Sequence, residues 1–144
     1  MKLGSPIFQN NDGFPPAHTC DGAESSPPLE ISGVPAAAES LALVLRDPDA
    51  PGGIFIHWIL FGIPPKTEKI DIGGIPPGAR QGKTTNGKIG YVGPCPPSGT
   101  HRYIFTLYAL DTKMYLNDGA PIERFNAAIS GHVLETAQLT AKYR

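Results

Sequence analysis

Apolar residues in this chain come in short runs separated by turn formers. Leu41 to Leu45 is continuously apolar and bounded by Ser40 and by Arg46-Asp47, the pattern of a strand buried on both faces. Ile54 to Ile63 is a second such run, richer in aromatics, and Pro64-Pro65 stop it. Strand alternation places His57 on one face with Phe55, Ile59 and Phe61, and Trp58 on the other with Ile56 and Leu60. His101 to Leu110, reading HRYIFTLYAL, alternates most regularly. His101, Tyr103, Phe105 and Leu107 share one face, and Arg102, Ile104, Thr106 and Tyr108 the other. Shorter strand candidates are an edge strand at Pro6 to Gln9, Leu29 to Gly33, Lys69 to Ile72, and a closing strand from Gln138 to Tyr143. A helical stripe of Ile122, Phe125, Ile129 and His132 or Val133 begins near Pro121, a favoured first-turn residue, and Gly131 predicts a break or bend in it. The pattern predicts a mainly β chain with one short C-terminal helix.

Composition sharpens this picture. Seventeen Gly and sixteen Pro leave little room for helix, since Pro removes a backbone donor and Gly weakens helices. With 144 residues, 40% hydrophobic and 17% charged, the chain reads as one globular domain, residues 1–144, able to bury a core. A net charge of -1 provides no field for nucleic acid or an anionic membrane. No apolar run is long enough for a membrane span, and the N-terminus lacks the apolar stretch of an export signal. A cytoplasmic location is therefore expected. Cys20 and Cys95 form no CxxC pair and are expected as separate thiols, too few for a structural zinc site. Were they bridged, the closed loop would add roughly 4 kcal/mol in a chain-entropy model.

Candidate chemistry gathers at strand ends. Asp47-Pro48-Asp49 closes the first long strand. Taken alone it is a turn whose carboxylates bond neighbouring amides, and a DxD is weak evidence for a metal or an acid-base pair. A lone histidine in an apolar strand, such as His57, is more often a hydrogen-bonded core residue than a ligand. Its weight rises because His101 and Tyr103 share a strand face just after the Gly- and Pro-rich loop Gly82 to Gly99, and so long a loop in a compact domain is usually functional. Asp47, Asp49, His57, His101 and Tyr103 together predict a small polar cup with apolar walls, suited to a phosphate- or carboxylate-type group. A divalent metal is the rival occupant. No GxSxG, P-loop or HExxH pattern is present, which points away from an enzyme. His18 and His132 read as structural.

Three separated blocks carry a family likeness: HTCDGAESSPPLEISGVP, DPDAP followed by His57-Trp58, and GPCPPSGTHRYIFTLYAL. In this order they resemble the phosphatidylethanolamine-binding protein family, in its bacterial and archaeal Raf kinase inhibitor-like branch, over roughly Phe8 to Arg144. The resemblance implies a Greek-key β-sandwich with a C-terminal helix and an anion pocket at one end. By motif, Asp47 and His57 match the pocket acid and histidine, and Pro96 and Pro97 the rim prolines, with Cys95 just before them. His101 and Tyr103 match the HRY motif, and Asp49 is implied as a loop brace. The link Gly52 to Ile56 is shorter than in eukaryotic members, which implies a smaller or more open pocket. Binding or regulation of a kinase or protease is implied rather than catalysis, with no cofactor or metal and with homodimers common. A metal-dependent hydrolase built on the same Asp and His residues, and a serine protease inhibitor, are the alternatives.

Overall fold

The computed structural model describes residues 1–144. Eight strands form two antiparallel sheets. β1 (Lys2–Gly4), β2 (Leu29–Ser32) and β5 (Lys69–Ile70) make the small one in the order β1-β2-β5. β3 (Ser40–Asp47), β4 (Phe55–Ile63), β6 (Arg80–Gln81), β7 (His101–Leu110) and β8 (Val133–Tyr143) make the large one in the order β6-β4-β3-β7-β8. The neighbours β7-β3-β4-β6 have the spatial order of a Greek key, in which the fourth strand returns to lie beside the first. The chain is mainly β, with a single α-helix, α1 (Ile122–Ile129).

β3 is the central strand, and both its faces are covered. Leu41, Leu43 and Leu45 point into the inter-sheet core with Leu29, Ile31, Trp58, Leu60, Phe105 and Leu107. Ala42 and Val44 point the other way, toward Ile59, Phe61 and the α1 residues Phe125 and Ile129. An uninterrupted apolar run is what such a two-sided position requires. β7 keeps the predicted alternation, with Tyr103, Phe105 and Leu107 in the inter-sheet core.

Several expectations shift. The N-terminal strand forms at Lys2–Gly4 instead of Pro6 to Gln9, and the last strand is longer than predicted because it pairs with β7 along nearly its whole length. α1 stops at Ile129; Gly131 then takes a φ of 79°. His132 and Val133 consequently leave the buried stripe: His132 is exposed and bonds Asp111 at 2.8 Å, and Val133 opens β8.

The alternation assigned to β4 is also corrected. Opposite β3, Leu45 faces Trp58 while Arg46 faces Ile56, so His57 is an extra residue in a β-bulge. A bulge places two residues against one and re-aims a side chain. Trp58 and Leu60 therefore join the inter-sheet core, while Ile56, Ile59 and Phe61 face α1. His57 turns to the inner side, beside Phe55 and Tyr103.

The cysteines overturn their expectation. Cys20 and Cys95 form a disulfide with Cα atoms 5.5 Å apart. Proximity comes from tertiary docking that spacing does not reveal, since the Cys20 amide donates to the Pro94 carbonyl at 3.1 Å. Disulfides occur in oxidising compartments and in hyperthermophile interiors, so the pair lends no support to the cytoplasmic expectation. No helix is long and apolar enough to cross a membrane.

Candidate functional site

At the end of the large sheet where β3 finishes, β4 begins and β7 begins, the chain leaves a pocket of about 310 Å³. Its walls include Asp47, Phe55, His57, His101 and Tyr103 from the strands, and Val92, Gly93, Cys95, Pro96 and Pro97 from the loop. Such a volume lies near the lower bound of about 300 Å³ for small-molecule sites. Asp47, His57, Cys95, Pro96, Pro97, His101 and Tyr103 line it; Asp49, grouped with them in the predicted cup, does not.

Asp47, His57 and His101 are each fixed by a specific bond. Asp47 is 3% exposed; its Oδ1 accepts from the Asp49 amide at 2.8 Å and its Oδ2 from His101 Nδ1 at 2.7 Å. His57 donates from Nδ1 to the Val92 carbonyl at 2.8 Å, and the Val92 amide donates back to the His57 carbonyl at 2.9 Å. The bulge makes this exchange possible, and it clamps the loop to the edge of β4. Both donor roles follow from the acceptors, because a carboxylate and a carbonyl can only accept. The two imidazoles are thus held in the same sense, with Nδ1 committed and Nε2 free.

Where Nε2 points follows from burial. His57 and His101 are each 6% exposed, and no fully buried side-chain nitrogen or oxygen lacks a partner. The unpartnered Nε2 atoms must then be reached by solvent, and the pocket is the cavity that both side chains line. Burial lowers the His57 pKa below the ordinary histidine value; the Val92 carbonyl, Asp47 and Glu24 oppose that shift and His101 adds to it. Burial also raises the Tyr103 phenol, with the Asp47 charge adding to the effect. Near pH 7 His57 is therefore a neutral acceptor at Nε2, and Tyr103 keeps its proton.

Asp49 braces the site from outside. It accepts from the Arg102 amide, Nε and Nη2, each at 2.9 Å, tying the end of β3 to the start of β7. These Arg102 bonds hold its carboxyl down at about 2. His18, in the 3-10 turn Pro16–His18, donates to the Ser25 carbonyl at 2.7 Å and lies away from the pocket.

Sequence reasoning missed three contributors. Val92 orients His57 through its backbone, which no side-chain pattern reveals. Glu24 accepts from the Gly93 amide at 3.1 Å and adds its charge to the field at His57. Phe55, two residues before His57, packs against it with ring centroids 4.6 Å apart and the rings tilted by 46°, and its position on the same strand face was the available signal. No group of three or more His, Cys, Asp or Glu residues is arranged to hold a metal ion.

The phosphatidylethanolamine-binding protein family model matches residues 4–144. This chain belongs to that family. Among its relatives in the phosphatidylethanolamine-binding protein family, a UPF0098 protein of Methanothermobacter thermautotrophicus is 47% identical over 149 residues, spanning 100% of this chain and 99% of the relative. The crystal structure of a phosphatidylethanolamine-binding protein homologue from Chlamydia trachomatis superposes with a TM-score of 0.95 at 38% identity, over 99% of this chain and 96% of that one. E. coli YbcL, described as a member of the mammalian family, matches with a TM-score of 0.92 at 29% identity, over 99% and 97% of the two chains.

Proposed function

We propose that residues 1–144 form one non-enzymatic binding domain whose pocket holds a small oxyanion, a phosphate- or carboxylate-type group. Asp47, His57, His101 and Tyr103 form its polar floor and Pro96 and Pro97 its rim. The observation that carries this reading is the pair of buried imidazoles, each pinned at Nδ1 and open at Nε2 to the same pocket. Binding in place of catalysis is supported by the lining, which contains no Ser, Thr or Lys, and whose Cys95 is tied in a disulfide. Modulation of a kinase or protease would act through the mouth, where Pro51 and Pro97 are exposed. The test is a titration with phosphate and with phosphoethanolamine, following the His57 and His101 ring signals by NMR. Both rings are expected to shift; no response from either at millimolar ligand rejects the reading.

A further inference from the structure

A second cleft lies at the opposite end of the large sheet, where β3 begins and β4 ends. It encloses about 500 Å³, inside the range of roughly 300–1,000 Å³ for ligand pockets. Ser40, Ile63, Pro64, Pro65 and Arg80 line it together with Lys113–Leu116, the stretch that leaves β7, and Glu39 is the one acid in its wall.

The main chain of that stretch is unmatched. Burial alternates along it as in an extended chain: Met114 and Leu116 are half-buried and pack against the cluster of Phe61, Leu110 and Phe125, while Lys113 and Tyr115 face outward. None of the four residues makes a backbone–backbone hydrogen bond. Only side chains reach their carbonyls, Thr112 Oγ1 at Lys113 and Arg80 Nη1 at Leu116, at 3.2 and 3.4 Å. Four amides and the carbonyls of Met114 and Tyr115 are thus left without a protein partner, although main-chain groups are obligatory hydrogen-bonding groups. Tyr115 is 89% exposed beside them. A nearly bare aromatic ring at the lip of a cleft packs nothing in this fold and suits an interface anchor.

Charge distinguishes the two ends of the cleft. Arg80, Lys113 and Glu39 form no ion pair. The Glu39 amide donates to the Leu110 carbonyl at the end of β7, so this acid stands on the side from which Lys113 departs, and the two charges offset each other there. Arg80 heads β6, on the far side of β4 from β3, about 10 Å away at two strand spacings. Its Nη1 makes only long contacts, 3.4 Å to Leu116 and 3.4 Å to Asn117, and its Nε and Nη2 have no acceptor. Arg80 is therefore the uncompensated cation, with a planar fork open to a carboxylate.

We infer that this cleft binds an extended peptide segment of a partner protein, which adds as a strand along Lys113–Leu116 and sets an acidic residue at one end against Arg80. A small anion would engage Arg80 and leave the row of amides and carbonyls unmatched; donors and acceptors in one extended row are matched by another main chain. Alternate apolar side chains of the peptide enter toward Ile63, Pro64 and Met114, and Glu39 disfavours a second acid at the β3 end. The site is independent of the pocket at the other end of the sheet.

The probes are two fluorescein-labelled peptides, Glu-Val-Thr-Val-Thr-Lys and its reverse sequence, followed by fluorescence anisotropy. One direction or both should bind saturably. Gln in place of Glu should weaken binding about fivefold, the upper range for a solvent-facing ion pair, and Arg80→Gln should remove that difference. N-methylation of the two valines blocks one edge of the peptide, and of the two threonines the other. One of these two peptides should bind about tenfold weaker or worse, as the loss of main-chain bonds requires. In the native protein the amide signals of Met114 and Tyr115 should move on binding while the His57 and His101 ring signals stay in place. Both methylated peptides binding as well as the parent would reduce the cleft to an anion site and overturn the inference, as would no saturable binding at millimolar peptide. A free chain that sediments as a dimer and is made monomeric by Tyr115→Glu also overturns it, assigning the cleft to a second copy.

Discussion

His57 is restrained by one backbone carbonyl and moved in one direction by burial. A histidine whose folded pKa lies below the unfolded value of 6.5 has no effect on stability well above that pH, where both states are neutral. As pH falls below it the unfolded chain takes up the proton first, so the folded state loses stability until the pH has passed the folded pKa. Thermal midpoints of the ligand-free protein should therefore fall between pH 7 and pH 5, and those of His57→Asn should fall less. Equal slopes for the two proteins would count against a buried neutral ring. Asp49 acts in a lower window with a shift in the same direction. Its pKa is depressed from 3.8 to about 2 by Arg102, so its contribution is present above 3.8 and disappears as pH falls through about 2. Asp49→Asn should flatten the acid limb of the stability curve between pH 4 and 2, by a small amount because the pair is exposed and solvent-screened. A limb as steep as that of the native protein would show that the brace contributes only geometry.

Among the elements, β3 and β7 were readable from pattern alone because each obeys a simple rule. β3 is buried on both faces and is apolar throughout; β7 lines the core on one face and alternates. β4 was readable as a strand, but its internal register was not. Period-2 counting has no means of detecting an extra residue, and the bulge at His57 exchanges the faces of Trp58 to Phe61 relative to Ile56, before a second register shift brings Ile63 into the inter-sheet core. The loop from Gly82 to Gly99 was recognised by length and composition, while its path along β4 is set by backbone bonds. The Ile56 amide donates to Thr85 Oγ1, the Gly82 amide to the Ile59 carbonyl and the Val92 amide to the His57 carbonyl. The loop thus takes the place of an edge strand. Gly93 makes that path possible. A Cβ there would stand 2.7 Å from Glu24 Cγ, 2.9 Å from the His18 carbonyl oxygen and 3.1 Å from Thr19 Cα. Two of those neighbours are backbone, next to the disulfide, and neither yields cheaply. Gly93→Ala should cost about 1–3 kcal/mol, the usual range for overpacking, and should move the His57 ring signal through Val92. Denaturant unfolding together with the NMR spectrum checks it; full stability with an unmoved ring would mean that the N-terminal loop is easily displaced.

For the molecule as a whole, the pocket depends on three distant stretches meeting at one end of the sandwich. The loop from Pro15 to Glu24 packs against the loop from Tyr91 to Cys95 through four bonds. The Tyr91 hydroxyl donates to the His18 carbonyl, the Cys20 amide to Pro94, the Gly93 amide to Glu24, and the disulfide closes the set. The C-terminus joins them, with Arg144 and Tyr143 both on Asp21. The family motifs named Asp47, His57, His101 and Tyr103 because they sit in recognisable blocks. They did not reveal the bridge, since a separation of 75 residues says nothing about which loops dock. Its energetic role follows from that separation. Tying so long a loop removes conformations chiefly from the unfolded chain, and the expected gain is about 4 kcal/mol, or about 2 kcal/mol if residual structure in the unfolded state already limits it. The remaining bonds between the two loops survive its removal, so the folded pocket should keep its shape. Cys20→Ser/Cys95→Ser is therefore expected to unfold at lower denaturant, with a loss of about 2–4 kcal/mol and a larger m-value from the more open unfolded chain. The His57 and His101 ring signals of the folded variant should match those of the native protein. A shifted His57 signal at unchanged stability would reverse the assignment: the disulfide would then shape the rim of the pocket instead of stabilising the fold.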